Sequence, residues 1–396
     1  MLRSVLIKSY RSCKDVLIDN IDELTLLVGK NGVGKSNILK SINWCAHTAT
    51  ATSGIQIVNR SEGDISIVVE LEGYKFSYSL TAKYREVDSG REWFLKETLD
   101  INSKGAVVNF IERNGPDLMV NGSDFLVISP QLPAMSAVNS LMPLHPYSDV
   151  VSKFNEFLKK ITYYPLVELE NAGENYSNAF LNEDQFAQWT SSKFAENTSK
   201  MVLCKILDFY LNKKNKFEEL LSLLGKDGID LVDSIEISQY NLPKKIVNAQ
   251  NASNDEDSGL TKIYFLEFHP SLSAPNSSYK FDSLSFGTKR LIRFVTDFLY
   301  DGASISLVEQ PEDGVHCGLL YKLFDLLESY SEGRQSIVAS HSADLLNRAD
   351  PSSIRMVDIL NGVTTARKLS FQEKSAADNF KRRVGSLSEF IRSLQE

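Results

Sequence analysis

The run Gly29-Lys30-Asn31-Gly32-Val33-Gly34-Lys35-Ser36 places a glycine, four residues, and then Gly-Lys-Ser. That spacing suits the holding of a chain of phosphates. Small residues let the backbone wrap closely, so consecutive N–H groups aim at phosphate oxygens. A helix starting here adds its partial positive charge. Lys35 is placed to reach the β- and γ-phosphates, and the Ser36 hydroxyl to ligate Mg²⁺. Three further segments carry groups fit for the same task. Glu309 closes the apolar run Ile305-Ser306-Leu307-Val308. A carboxylate at a strand end can hold Mg²⁺ through its water shell and orient an attacking water; without the phosphate loop upstream it reads as an ordinary solvated acid. His341 follows Ser336-Ile337-Val338-Ala339-Ser340. An imidazole there can bond a terminal phosphate or the attacking water, although a lone histidine is more often structural. Ser285 and Gly287, in Leu284-Ser285-Phe286-Gly287-Thr288-Lys289-Arg290, suit a helix N-terminus that grips a γ-phosphate presented by another subunit. The plain alternative is a helix cap with a small-residue turn.

These groups need rigid carriers. Leu24–Val28 is a continuous apolar run ending at Gly29, as expected of a strand buried on both faces. A helix is expected from about Ser36, with Ile38, Leu39, Ile42 and Cys45 on one face. Residues 2–7 read as an earlier strand. Residues 55–121 read as antiparallel hairpins, with strands at 65–71, 76–80, 93–101 and 106–111, and turns at Glu72-Gly73, Asn102-Ser103-Lys104-Gly105 and Asn114-Gly115-Pro116-Asp117. Residues 150–235 read mainly as helices, at 150–161 and 201–224, around a polar stretch at 168–199. The segment 249–259 is polar, acidic and without periodicity, which marks a loop. Beyond it, helical faces and buried strands at 305–308 and 336–339 alternate, which indicates a parallel sheet flanked by helices. A hairpin is expected around Asn361-Gly362. A basic helix over 376–394 carries Lys381, Arg382, Arg383 and Arg392; it reads as a solvated face, with contact to nucleic acid or an acidic partner as the alternative. Tyr163-Tyr164 reads as core rather than as a platform for stacked bases. No repeat or heptad run is visible.

The 396 residues, 42% hydrophobic and 24% charged, have globular composition. No apolar run approaches the roughly 18–20 residues that span a bilayer, and the first residues lack the pattern of a signal peptide, so a cytoplasmic location is expected. Cys13, Cys45, Cys204 and Cys317 are far apart, which argues against a disulfide framework or a zinc ribbon. The five histidines are scattered as well. A net charge of −8, from 43 basic and 51 acidic residues, gives no global pull toward nucleic acid or anionic lipid.

In this order, the four segments resemble those of the ABC-type ATPases of the SMC, RecF and OLD group. VLIKSYRSCKDVLI and LTLLVGKNGVGKSNILKSI look like the start of RecF-like proteins, LSFGTKRL like the signature motif, VEQPEDGVH like the Walker B segment and its following loop, and SHSADLL like the histidine switch. The resemblance implies an α/β fold, a P-loop NTPase of the ABC ATPase head type with an antiparallel β subdomain and a helical insertion. Its expected parts are an N-terminal lobe over 1–149, a helical insertion over 150–235, a C-terminal lobe over 236–370 and a basic helix over 371–396. It further implies that two heads dimerise head-to-tail around two ATP molecules. Arg11, Asn31, Gly32, Gly34, Lys35, Ser36, Asn37 and Gln131 would then line one head's nucleotide, with Gln131 in the Q-loop role. Ser285 and Gly287 would grip the partner's nucleotide, Ser36 and Glu309 would support Mg²⁺, and His341 would sense the γ-phosphate.

One departure bears on turnover. The family usually has a second acid after the Mg²⁺ acid, and here that position is Gln310. An amide takes no proton, although it can orient water. Three readings stand: slow hydrolysis with ATP as a long-lived clamp, compensation by Glu312 or His341, or an engineered Glu→Gln change that traps the ATP state. Only about 55 residues follow His341, too few for the Toprim nuclease of OLD proteins. The resemblance therefore implies a regulatory ATPase, in a homodimer or higher oligomer, that controls a separate nuclease or RNase in anti-phage defence, as in Septu, PARIS and some retrons. A RecF-like repair head binding DNA, a role for RNA, and a hydrolysis-deficient ATP-bound scaffold are the alternatives. A transporter ATPase fits less well, because the signature reads LSFGT rather than LSGGQ.

Overall fold

The computed structural model describes residues 1–52, 61–87, 90–122, 124–141, 146–165, 180–192, 199–244, 259–271, 277–330, 333–383 and 385–394. The chain opens with β1 (Leu2–Ser9), β2 (Val16–Asp19), β3 (Leu24–Val28) and α1 (Lys35–Thr50). A run of strands follows: β4 (Gly63–Leu71), β5 (Tyr74–Val87), β6 (Gly90–Ser103), β7 (Ala106–Asn114), β8 (Asp117–Val120) and β9 (Asp124–Val127). Next come α2 (Ala134–Leu141), α3 (Ser148–Lys159), β10 (Ile161–Pro165), β11 (Leu181–Asn182), α4 (Glu183–Ser192), α5 (Ser199–Asn212), α6 (Lys214–Leu224), β12 (Val232–Pro243), β13 (Leu260–Pro270) and α7 (Phe286–Asp301). The chain closes with β14 (Ile305–Glu309), α8 (Cys317–Ser329), β15 (Gln335–Ser340), α9 (Ala343–Arg348), β16 (Ile354–Leu360), β17 (Val363–Lys368), α10 (Phe371–Arg383) and α11 (Leu387–Ser393). These elements form two units. The first comprises Met1–Pro165, Ala303–Pro311 and Leu327–Glu396; the second comprises Leu166–Gly302 and Glu312–Leu326.

The first unit holds two sheets. One is antiparallel, in the order β2-β1-β4-β5-β6-β7-β8-β9. Its strands alternate buried and exposed residues, as in β4 with Gly63, Ile65, Ile67 and Val69 inward, which is the pattern of a sheet with one wet face. Its tight turns at Glu72-Gly73 and Lys104-Gly105 put both central residues at positive φ, the geometry that matches strand twist in two-residue hairpins. The other sheet runs β10-β14-β15-β3-β16-β17, parallel except for its last strand. All of β14 and β15 is buried, as a parallel sheet covered by helices requires. Helix α1 packs against β10, β14 and β15 of this sheet and against β1 and β4 of the other. Two-sided burial explains why Trp44 and Ala46 are as buried as the expected stripe of Ile38, Leu39, Ile42 and Cys45.

A charged pair sits inside this core. Arg113 and Glu97 are both fully buried, 2.8 Å apart. Glu97 also accepts from Tyr78 Oη and from the Ala134 N–H, while Arg113 donates to the carbonyls of Gly115, Ser129, Pro130 and Leu132. The pair thereby pins the turn between β9 and α2. The second unit is built on the antiparallel sheet β11-β13-β12 with α5, α6 and α7 packed together. There Lys205 lies between Asp297 (3.0 Å) and Asp301 (2.7 Å).

Several elements differ from expectation. Residues 150–235 hold helices but also β10, which joins the parallel sheet beside β14. Its five residues, Ile-Thr-Tyr-Tyr-Pro, are too short to show a period of their own next to a helical pattern. The stretch over 201–224 is two helices meeting at Lys213. β12 carries no apolar alternation, since beyond Ile235 its residues are exposed or only partly covered. The basic helix expected over 376–394 is two helices. Gly385 at φ +84 breaks it, and Ser386 caps the second by accepting from the Glu389 N–H. The loop expected at 249–259 lies outside the described residues except for Gly259, and only 180–192 and 199 of the polar stretch 168–199 are described.

Replacing Arg113 with Met should leave the Glu97 carboxylate buried without its cation and cost about 3–5 kcal/mol, read as a lowered midpoint in denaturant unfolding.

Candidate functional site: a phosphate loop at the edge of a parallel sheet

Register places the site. In the parallel sheet Ser340 of β15 lies level with Val28 of β3, and Ala339 lies level with Glu309 of β14. Three adjacent strands thus release Gly29, His341 and Gln310 at one edge, the carboxyl edge where ligands sit in open parallel sheets.

The loop 29–36 is shaped from outside. Thr364 of β17 is 1% exposed; its hydroxyl donates to the Val33 carbonyl (2.9 Å) and lies 2.8 Å from Ser12 Oγ. Asn37 donates its side-chain amide to Ser12 Oγ (2.8 Å), and the Thr364 N–H donates to the Ser12 carbonyl (3.0 Å). Gly34 has φ +104, and a Cβ there would stand 2.1 Å from Thr364 Oγ1, so this position excludes every side chain. Inside the loop, the Lys35 ammonium donates to the carbonyls of Gly29 (2.7 Å) and Lys30 (2.9 Å). Asn31 and Gly32 are exposed, and Ser36 is partly exposed in the first turn of α1. Arg11 is exposed at φ 50 in the Tyr10–Cys13 turn, next to Ser12, the partner of Thr364 and Asn37. Burial raises the neighbouring Cys13 thiol to about 11, so it stays protonated and unreactive.

Glu309 is 9% exposed. Tyr163 Oη donates to its carboxylate, and Lys40 Nζ stands 3.9 Å away. Lys40 follows Ser36 by four residues on α1 and so shares its face, which places Ser36 on the face of α1 that carries the lysine nearest Glu309. A hydroxyl and a buried carboxylate on the same side are the hard oxygen donors that Mg²⁺ takes, so these residues fit that ion. Gln310 holds a left-handed backbone, φ +44, fixed by its N–H donating to the Ala339 carbonyl (2.8 Å). His341 is exposed at a turn where the Ser342 N–H donates to Ser340 Oγ (3.0 Å) and Ser342 caps α9.

Gln131 is exposed, in the turn between β9 and α2. The Arg113 pair holds its turn against the antiparallel sheet, and α2, which follows, touches α1 at Ala49 through Ser136. Ala49 is fourteen residues along α1 from Lys35, about 21 Å at 1.5 Å per residue. Sequence reasoning also missed Tyr163 and Lys40. The spacing from Ser36 could have pointed to Lys40. Tyr163 needed the pairing of β10 with β14, which no local pattern carries.

In the second unit, Ser285 caps α7 by accepting from the Thr288 N–H (3.2 Å) and is exposed. Gly287 packs so close to the following loop that a Cβ would stand 2.4 Å from the Gly314 carbonyl. Arg290, 1% exposed, donates to the Asp313 carbonyl. The signature turn is therefore a rigid helix N-terminus locked onto residues 312–315.

The family model described as "AAA ATPase domain" matches residues 1–112, and the one described as "AAA domain, putative AbiEii toxin, Type IV TA system" matches residues 147–347, just over half of the chain. An uncharacterised protein of Methanocaldococcus jannaschii is 49% identical over 43 residues, which are 11% of this chain and 13% of that protein. Among solved structures, the SMC head domain from Thermotoga maritima aligns over 93% of this chain and 99% of its own, at 14% identity and a TM-score of 0.42. A Smc head domain with an extended coiled coil, bound to the C-terminal domain of ScpA and derived from Pyrococcus furiosus, aligns over 96% and 99%, at 15% identity and a TM-score of 0.38. A phosphate loop on β3 with an acid and a histidine on the next two strands is what an ATP-handling domain needs, and by its family match the chain belongs to the AAA-domain ATPases of the AbiEii type.

Proposed function

We propose that this ATPase is a nucleotide-dependent switch: it binds ATP with Mg²⁺ at residues 29–36, two copies close around two nucleotides, and the closed form controls a separate effector of nuclease type in defence against phage. The observation that carries the reading is the common edge of β14, β15 and β3, which offers the phosphate loop, Glu309, Gln310 and His341 to one ligand. Lys35 leaves the Gly29 and Lys30 carbonyls for the β- and γ-phosphates. Gly32, Gly34 and their neighbours supply N–H groups. Arg11, in the turn anchored through Ser12, meets the α-phosphate side. Mg²⁺, held by Ser36 and Glu309, would neutralise phosphate charge; Lys40 and Tyr163 keep the carboxylate in place. Gln310 orients a water but takes no proton, and His341 donates to the γ-phosphate. Ser285, Gly287 and the free N–H groups of the α7 N-terminus serve the nucleotide of a second copy, where a helix dipole favours anions. The family description, with its toxin and Type IV TA system, supports a place in conflict with phage.

Slow turnover follows from Gln310. A general base contributes about 10²–10⁴-fold to a rate, so the wild type should hydrolyse ATP slowly, and Gln310→Glu should raise phosphate release by about 10²-fold in a steady-state assay. Equal rates for the two proteins would show that the amide is not limiting.

Lys35→Ala should weaken ATP binding about 10- to 100-fold in calorimetry and abolish ATP-dependent dimerisation in light scattering. An ATP-bound wild type that stays monomeric would remove the switch reading. Gly34→Ala should lose nucleotide binding at least as completely, with the circular dichroism spectrum retained, because its Cβ strikes Thr364.

A further inference from the structure

The strand order gives the bound nucleotide a direction. Glu309, Gln310 and His341, the groups suited to the γ-phosphate end, leave β14 and β15, and the phosphate loop leaves β3, the next strand. A triphosphate that starts beside β14 and β15 and crosses the loop must carry its nucleoside toward the strands on the other side, β16 and β17. Those two strands form a hairpin that runs past the sheet edge, turned by Asn361 and Gly362, both at positive φ. At its tip, two large apolar side chains lie open to solvent: Ile359 is 45% exposed and Leu360 is 65% exposed.

The two differ in the face they occupy. Ile359 pairs directly with Thr364 across the hairpin, and Leu360 with Val363. Side chains of a directly opposed pair share one face of the ribbon. Thr364 points at the loop, because its hydroxyl bonds the Val33 carbonyl, so Ile359 stands on the loop side and Leu360 on the other. Val357, two residues back on the Ile359 face, is 1% exposed and its carbonyl lies against Gly29. The hairpin therefore follows the loop from Gly29 to Gly34, and Ile359 is an exposed apolar side chain beyond it on the face of Thr364.

We infer that Ile359 is a nucleobase-facing residue: its side chain lies against the planar base of the nucleotide whose phosphates the loop holds. The assignment rests on the ATP-binding reading above. It explains an exposed isoleucine beside a polar loop, since a heteroaromatic ring gives it the apolar cover that water does not. Removing that cover costs affinity only for ligands that have a base.

The test compares ATP with inorganic tripolyphosphate, which has the phosphates and lacks the nucleoside. Calorimetry on the full chain in Mg²⁺ measures both ligands for the wild type, Ile359→Ala, Leu360→Ala and Lys35→Ala. The expected result is ATP binding about tenfold weaker in Ile359→Ala, tripolyphosphate binding unchanged in that variant, and both ligands bound as in the wild type by Leu360→Ala. Exposure of both side chains makes either variant mild for folding, and thermal melts check this. Equal loss of both ligands in Ile359→Ala would overturn the assignment by showing a disturbed loop, and unchanged ATP binding would overturn it outright. Loss of both ligands in Lys35→Ala alone keeps the phosphate reading separate: a wild type that binds neither ligand would sink that reading as well as the base contact.

Discussion

A lysine ammonium held almost out of water sets the terms of this molecule. Lys35 is 6% exposed, and its ammonium donates to the backbone carbonyls of Gly29 and Lys30. A polyphosphate meeting the loop would bring full negative charge to this cation. The supports around it, Thr364, Ser12, Asn37 and the bare Cα of Gly34, hold the loop open around that charge. They come from distant parts of the chain, which makes the loop a property of the first unit's whole fold and not of eight residues.

The candidate groups divide between elements. Binding groups gather on α1, β3 and the β17 hairpin. Groups that would act on the terminal phosphate sit at the ends of β14 and β15. The backbone at Gln310, where the resembled family usually carries an acid, is held by its N–H donating to the Ala339 carbonyl. Under the proposed function, an amide side chain there would favour a long-lived bound state over rapid turnover, and the capped turn at Ser285 would offer its helix N-terminus to the nucleotide of a second copy.

Much of this was legible in the residues because local chemistry forced it. Leu24–Val28 is apolar on both faces and ends at a glycine, so strand, loop and helix follow in sequence. Glu72-Gly73 and Asn361-Gly362 announce their hairpins through the left-handed backbone they must adopt. What stayed hidden depends on pairing between distant segments. Tyr163 reaches Glu309 only because β10 lies beside β14, and Ile161–Pro165 alone is too short to show a period. Gln131 lies in the turn that the buried Glu97–Arg113 pair holds, and the helix after it meets α1 at Ala49, a placement that no local pattern carries. Gly385 divides a basic segment that composition alone makes into one helix.

The most direct measurement is a crystal structure of the wild-type chain grown with a non-hydrolysable ATP analogue and Mg²⁺. The expected result is a triphosphate enclosed by residues 29–36, with the Lys35 ammonium drawn off the Gly29 and Lys30 carbonyls onto the β- and γ-phosphates. A loop without phosphate density, with Lys35 still bonded to those carbonyls at saturating ligand, would contradict it.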